Sequence, residues 1–167
     1  MPKIALIIAF ERFRDEEYVD PKKVLEQAGF TPVTVSSTLG TATGKLGMKA
    51  AVDMTLDQLV VQDCAAILFI GGPGSFDYYD NPICHKIAQD TLKAGKILGA
   101  ICAAPGILAK AGVLKDKRAT MFDDTGVFAE NGAIYTGNGV EIDGNIITAT
   151  SPATAKAWAE AVVKAIK

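Results

Sequence analysis

The sequence has very little histidine, few cysteines and no long apolar segment, and each shortage excludes a class of site. Histidine occurs once, at His85, and the three cysteines form no C-x-x-C pair among the 167 residues. This spacing excludes the usual zinc sites, so we expect no metal. An odd number of cysteines favours free thiols and a reducing, cytoplasmic compartment. The apolar run at residues 4–10 is too short to span a membrane, so we expect no membrane partner.

The chain also has no marked excess of charge. Its 17 basic and 19 acidic side chains leave a net charge of −2, and neither sign forms a block. We therefore expect no nucleic-acid partner. The glycine-rich stretches at residues 40–46 and 71–75 depart from the spacings of phosphate-binding loops, so we expect no nucleotide and no other cofactor. The length fits a single domain over residues 1–167.

Apolar runs alternate with segments of helical spacing along the chain. Strands are predicted at residues 3–10, 31–37, 64–72 and 96–102, and the stretches IYTGN and NIITAT are predicted as strands around a turn at Asp143 and Gly144. Helices are predicted up to Gly29, from Pro82 to about Lys93, over residues 105–112, and from Pro152 onward behind a Ser151 cap. This alternation predicts an α/β fold, with a largely parallel sheet and helices on both faces.

The segment GAICAAP contains the strongest candidate for a reactive residue, Cys102. It follows an apolar strand, and the small residues Ala100 and Ala104 permit the close backbone approach of a nucleophile elbow. Pro105 fits the first turn of a following helix, whose N-terminus would favour a thiolate. The alternative is a buried core thiol, which is the interpretation we prefer for Cys64 and Cys84.

Two other polar features have plain structural explanations. His85 follows Cys84 within a predicted helix, where adjacent side chains point about 100° apart, so we expect a surface or partly packed histidine and no Cys84–His85 dyad. The acidic stretch at residues 13–21 is typical of a solvated helix start. It could alternatively place a carboxyl group close to the elbow, as a proton donor or general base.

An acid after the first strand, a double-glycine loop and a cysteine elbow together resemble the ThiJ/PfpI superfamily. The resemblance covers nearly the whole chain and is carried by Glu17 with Pro21, by FIGGPGS at residues 69–75, and by AICAAPGILAKAGVLKDKRAT at residues 100–120. It implies a three-layer, flavodoxin-like sandwich that forms homodimers or larger homo-oligomers. It also implies Cys102 as the nucleophile and Glu17 as a protonated carboxyl beside it, with the backbone N–H groups of Gly72 and Ala103 as the oxyanion site.

The sequence departs from the family pattern where histidine is expected. PfpI-type peptidases have a histidine directly after the cysteine, where this chain has Ala103, and the deglycase has one at the place of Met121. Peptidase activity is therefore the function we expect least. Asp123 and Asp124 lie near the second place and are candidates for an auxiliary polar group.

Three functions follow from this combination of residues and resemblance. The first is a cysteine-dependent enzyme that needs no cofactor and acts on small reactive carbonyls, as glyoxalases and deglycases do, with Glu17 as the proton shuttle. The second is a redox or stress-responsive protein in which Cys102 is oxidised to a sulfinate. The third is a hydratase of another small electrophile, such as an isocyanide. All three predict a small-molecule electrophile as the partner.

Overall fold

The computed structural model describes residues 2–167 as alternating strands and helices. The strands are β1 (Lys3–Ile7), β2 (Glu11–Phe13), β3 (Thr31–Ser36), β4 (Gly40–Gly44), β5 (Lys49–Val52), β6 (Met54–Thr55), β7 (Cys64–Phe69), β8 (Ile97–Ile101), β9 (Arg118–Ala119), β10 (Ile134–Tyr135), β11 (Val140–Asp143) and β12 (Ile146–Ala149). The helices are α1 (Asp15–Gln27), α2 (Pro82–Lys93), α3 (Pro105–Lys110), α4 (Val127–Glu130) and α5 (Ala155–Ile166). Within residues 2–167, no helix is long and apolar enough to cross a membrane.

Seven strands form the central sheet, in the order β11-β12-β8-β7-β1-β3-β6. All neighbouring pairs are parallel except β11 and β12. Alternate residues of β1 enter different cores, because successive side chains of a strand point to opposite faces. Leu6 packs with Leu25 of α1 and Trp158 of α5, whereas Ile7 belongs to the core that contains α2 and α3. The predicted three-layer, flavodoxin-like α/β fold is thus confirmed.

The C-terminal hairpin differs from the sequence-based prediction. The turn at Asp143 and Gly144 joins β11 to β12, whereas the IYTGN stretch contributes β10, which pairs in parallel with β9. The polar and glycine-rich residues 136–139 interrupt the extended chain between β10 and β11, with Gly137 at a φ of +74°. The antiparallel pairing of the hairpin therefore begins only at Val140, which lies opposite Ala149.

Two helix starts also differ from the prediction. Ser151 caps a short 3₁₀ turn, Pro152–Thr154, and α5 begins only at Ala155. Helix α4 was not predicted, because its four residues are too short to show a helical period. The other three predicted helices, α1, α2 and α3, lie close to their predicted positions. At the start of α2, the Asn81 side chain accepts hydrogen bonds from two backbone N–H groups.

The sheet topology brings three strand ends together at its centre. Strand β7 lies between β1 and β8, and all three run in parallel, so their carboxyl ends are side by side. Ligands of open α/β sheets bind at this edge. Gly71 and Gly72 follow β7 here, and Cys102 follows β8.

Candidate active site

Cys102 lies on a sharp turn directly after β8. Its φ is +64°, a left-handed conformation that residues other than glycine adopt only where the surroundings hold them. Its N–H donates to Ala149 O at 2.9 Å, and its carbonyl oxygen accepts from Phe122 N at 2.9 Å. The Ala104 N–H closes the turn onto Ile101 O at 3.0 Å. The strand-to-turn geometry expected of a nucleophile elbow is therefore present.

The thiol is not at a helix N-terminus, which corrects the sequence-based prediction. Helix α3 begins three residues later at Pro105 and has only six residues. Burial and, to a smaller extent, the nearby Glu17 instead raise the pKa of the Cys102 thiol from 9.0 to about 12. Cys102 is still the most accessible cysteine, because Cys64 and Cys84 are buried. Among its neighbours, the backbone of Gly72 and Ala103 lowers this pKa.

Glu17 lies in the first turn of α1 and is completely buried. Neither carboxyl oxygen has a well-formed hydrogen bond within residues 2–167, although the Cys102 thiol and the Gly71 N–H lie close by. Burial raises the pKa of Glu17 from 4.5 to about 7, because a buried carboxylate loses its hydration without full compensation. The acidic stretch is thus no plain solvated helix start, since Glu17 points into the protein.

Gly71 shows how closely the two side chains approach each other. A Cβ atom at Gly71 would come within 3.0 Å of Glu17 Oε1, the Ile101 carbonyl oxygen and Cys102 Cβ. The Glu17 carboxyl and the Cys102 thiol therefore lie close together in space that a side chain at position 71 would fill. An ionised Glu17 raises the pKa of Cys102, so the pair favours one shared negative charge over two.

This crowding predicts the effect of Gly71→Ala. We expect the added methyl group to displace either Glu17 or the elbow, to lower the free energy of unfolding by about 1–3 kcal/mol and to slow iodoacetamide alkylation of Cys102. Urea unfolding and timed alkylation would measure the two effects. Gly139→Ala is the matched control, because its Cβ would meet only a Thr154 methyl group, at 3.2 Å. Equal effects of the two substitutions would contradict the prediction.

Two backbone N–H groups lie near the thiol of Cys102. They belong to Gly72 and Ala103, and both lower the thiol pKa. Gly72 has a φ of +107°, and a side chain there would collide with the backbone of Arg12, Phe13 and Arg14. Glycine is therefore required at this position, and the two donors together could hold an oxyanion formed beside the sulfur.

A cavity of about 290 Å³ opens above Cys102. Phe76 and Tyr79 form part of its wall, with ring centroids 4.9 Å apart, and the Tyr79 hydroxyl donates to Ala103 O at 2.7 Å. The further lining residues are Arg14, Lys45, Gly72, Pro73, Ala103, Met121, Phe122, Asp123, Thr125 and Pro152. The volume is suited to a small molecule.

The structure separates the two candidate auxiliary acids. Asp123 is exposed and lines the cavity. Asp124 Oδ1 accepts from Gly126 N at 3.0 Å and Phe128 N at 3.3 Å, so it orders the start of α4. Met121 is buried at the place where the deglycase has histidine. No imidazole therefore takes part in this wall of the cavity.

His85 is also accounted for by a local contact. Its Nε2 lies 2.6 Å from the Tyr79 carbonyl oxygen, on the chain segment before α2. This contact fixes the Tyr79 backbone and leaves the imidazole apart from Cys102 in the hydrogen-bond network. His85 is half-buried, in agreement with the expectation of a surface or partly packed histidine.

Sequence reasoning missed the two basic residues of the cavity. Arg14 lies three residues before Glu17, which is a signal that could have found it. Lys45 carries no such signal, because it reaches the cavity through the β4–β5 hairpin, far from the elbow along the chain. The hairpin is held by Asp15, whose carboxylate accepts from Leu46 N at 3.1 Å and Met48 N at 3.0 Å.

Comparisons with known proteins agree with this fold. The family model described as the DJ-1/PfpI family matches residues 2–165. A deglycase of Pyrococcus horikoshii is 30% identical, covering 97% of this chain and 98% of its own, and a glutathione-independent glyoxalase of Caenorhabditis elegans is 25% identical, covering 99% and 89%. The crystal structure of a ThiJ/PfpI domain protein from Brachyspira murdochii has a TM-score of 0.96 and 30% identity, covering 98% and 95%. The chain belongs to the DJ-1/PfpI family.

Proposed function

We propose that this protein is a cofactor-independent enzyme that converts small 1,2-dicarbonyl compounds to hydroxy acids, with Cys102 as its nucleophile. The observation that carries the proposal is the proximity of the half-buried Cys102 thiol, which lines a small cavity, to the fully buried Glu17 carboxyl beside it. The names of the relatives support it, since they include deglycases and a glyoxalase. A site without histidine fits proton shuttling better than peptide cleavage.

The first step forms a carbon–sulfur bond. Glu17 takes the thiol proton, and the thiolate attacks the aldehyde carbon of a substrate such as methylglyoxal. The Gly72 and Ala103 N–H groups hold the resulting oxyanion, which the lowering of the Cys102 pKa by both groups supports. Glu17 then returns its proton to that oxygen, which gives a hemithioacetal and an ionised carboxylate that can act as a base in the next step.

The second step moves hydrogen between the two substrate carbons. Ionised Glu17 removes the proton from the sulfur-bearing carbon, and the neighbouring ketone oxygen takes a proton from water to give an enediol. Glu17 returns its proton to the second carbon while the hydroxyl on the first carbon loses its proton to water, which leaves a thioester, so the first carbon is oxidised and the second is reduced. A pKa of about 7 suits both directions of transfer near neutral pH, because neither protonation state of Glu17 is then strongly disfavoured.

The third step releases the product. Water adds to the thioester carbonyl, the carbon–sulfur bond breaks, and the thiol is regenerated. Methylglyoxal and one water molecule thus give lactate, with no external oxidant or reductant. The cavity holds the carbonyl beside the two N–H donors during both additions, so the same groups stabilise both oxyanions.

Proton NMR tests the proposal directly on the wild-type chain. We expect stoichiometric lactate from methylglyoxal without glutathione and in the presence of a metal chelator. The expected rate rises with protein concentration and is lost after Cys102 has been alkylated by iodoacetamide. Unchanged methylglyoxal, with Cys102 still the fastest thiol to be alkylated, would overturn the dicarbonyl activity.

A redox role is the second candidate, favoured by the exposure of the three thiols. Cys64 and Cys84 are buried, and only Cys102 opens to a cavity. We expect mild peroxide to add two oxygens at Cys102 alone, giving a sulfinate that the Gly72 and Ala103 N–H groups can hold. Peptide mass spectrometry would locate the oxygens, and oxidation spread over all three cysteines would count against this role. Self-association stays a prediction that a measurement of molecular mass would test.

A further inference from the structure

Two basic side chains share one wall of the candidate active-site cavity. Arg14 and Lys45 both line it, and their backbones flank the same residue, Phe13. The Arg14 N–H donates to Gly71 O at 2.9 Å, and the Lys45 N–H donates to Phe13 O at 2.8 Å. The wall is therefore bonded through its backbone to the glycine loop at Gly71, which lies beside Cys102. The acidic lining residue, Asp123, comes from the segment after β9 instead.

These two cations retain donors that no protein carboxylate uses. The Arg14 guanidinium is bonded to Glu16 through Nε and Nη2, each at 3.0 Å, and this leaves Nη1 free of that pair. Lys45 forms no salt bridge within residues 2–167. Its charge acts on the nearby Glu16 carboxylate, but the two groups are too far apart to form an ion pair. A ligand oxyanion at this wall would meet an ammonium group and a guanidinium edge.

The hairpin that carries Lys45 is built into the site rather than loosely attached to it. The buried carboxylate of Asp15 accepts hydrogen bonds from two N–H groups in the turn after Lys45, those of Leu46 and Met48. A Cβ atom at Gly44 would collide with that same carboxylate. The position of the Lys45 backbone is thus fixed from α1, the helix that also carries Glu17.

We propose that the preferred electrophile carries a carboxylate, which the wall formed by Arg14 and Lys45 binds while Cys102 attacks the carbonyl group. The substrate class would then be anionic 1,2-dicarbonyls, such as 4,5-dioxovalerate, which one water molecule converts to 2-hydroxyglutarate. This inference deepens the proposed function and rests on it for turnover. The charge preference itself is a property of the cavity and can be measured without turnover.

Alkylation by two reagents of similar size measures that charge preference. Iodoacetate is anionic and iodoacetamide is neutral, and the same thiolate displaces iodide from both, so the ratio of their rates cancels any change in the pKa of Cys102. We expect Lys45→Gln to lower the iodoacetate-to-iodoacetamide ratio by about three- to tenfold at low salt, as the loss of one nearby charge predicts. High salt should also lower the iodoacetate-to-iodoacetamide ratio of the wild type, because it screens the attraction of the anionic reagent.

Lys49→Gln is the matched control, because it removes the same charge from the same hairpin. Its ammonium group is exposed and bonded to Thr43 Oγ1 at 2.9 Å, and it does not line the cavity. The ratio should remain that of the wild type. An equal ratio in the wild type and Lys45→Gln would overturn the charge preference, and so would an equal fall in both variants, since that would indicate net charge alone.

Turnover separates this inference from the function on which it rests. We expect a lower KM for 4,5-dioxovalerate than for methylglyoxal in the wild type. Lys45→Gln should raise the KM for 4,5-dioxovalerate and leave the KM for methylglyoxal unchanged. Equal KM values that do not respond to the substitution would overturn the proposed substrate class. Loss of the alkylation preference in Lys45→Gln, without turnover of either compound, would support the anion-binding wall and overturn the dicarbonyl enzyme.

Discussion

Cys102→Ala is expected to reduce methylglyoxal consumption to the rate measured without protein. The thiolate forms the only covalent bond to the substrate in the proposed reaction, so no other side chain can replace it. The fold should survive, because alanine is smaller than cysteine and the three hydrogen bonds that hold the elbow all use backbone atoms. Proton NMR of lactate formation and a thermal unfolding curve would measure both effects.

Cys64→Ala is the matched control for this substitution. Cys64 is a buried thiol at the start of β7 and packs in the core on the α2 and α3 side of the sheet. We expect a small loss of stability from the lost buried sulfur and normal lactate formation. Lactate formation by Cys102→Ala at the wild-type rate would remove Cys102 from the mechanism, whatever the stability of that variant.

Glu17→Gln, made in the Cys102→Ala background, is expected to stabilise the protein at pH 8 but not at pH 4. The background removes the thiol, so that Glu17 titrates alone. Burial raises the pKa of Glu17 to about 7 in the folded state, against 4.5 as its ordinary value. Urea unfolding at a series of pH values would measure the difference in free energy of unfolding between the two chains.

The sign follows from the number of protons bound in each state. Between pH 4.5 and 7 the unfolded chain has released the Glu17 proton while the folded chain still holds it, so the free energy of unfolding falls as pH rises. Below this window the carboxyl is neutral in both states and causes no loss. Above it the loss reaches its limit of about 3 kcal/mol, which glutamine would avoid because it does not ionise.

Glu16→Gln provides a control of opposite sign on the neighbouring residue. Hydrogen bonds from Arg14 lower the pKa of Glu16, so its ionised form favours the folded state. This pair is partly exposed, and we expect only a slight destabilisation at pH 8. A Glu17→Gln variant with the same pH dependence as its background would show that Glu17 ionises freely in the folded protein.

The stability cost of Glu17 also explains why such a residue points to function. A buried carboxyl without a full hydrogen-bond partner weakens the fold at neutral pH, and glutamine would fit a similar space at lower cost. The same burial brings its pKa close to neutrality, where a proton shuttle works best. Strongly perturbed acids gather at catalytic sites for this reason.

The sequence by itself determined the fold class and most of the helix and strand positions. Near-continuous apolar runs such as that of β7 predict strands buried on both faces, and Asn81 with Pro82 marks the start of α2. These signals are local, because they depend on side-chain size and backbone restriction within a few residues. The small residues around Cys102 predicted the elbow for the same reason.

Local patterns were weaker where pairing between distant segments decided the outcome. The strand that pairs with β12 begins at Val140 and not in the IYTGN stretch, since β10 finds β9 as its neighbour. The activation of Cys102 was also misjudged from the sequence. Pro105 predicted a helix start near the thiol, but the intervening turn places Cys102 three residues before α3.

Only the tertiary structure decided what surrounds the sulfur. The side chains of Glu17 and Cys102 meet because β1, β7 and β8 end side by side and Gly71 leaves the space between them open. The sequence pattern named both residues, but burial, which sets the pKa of Glu17, depends on all the segments packed around it. Lys45 enters the cavity by the same kind of long-range contact, so the wall that we propose to bind an anion has no signal in the sequence.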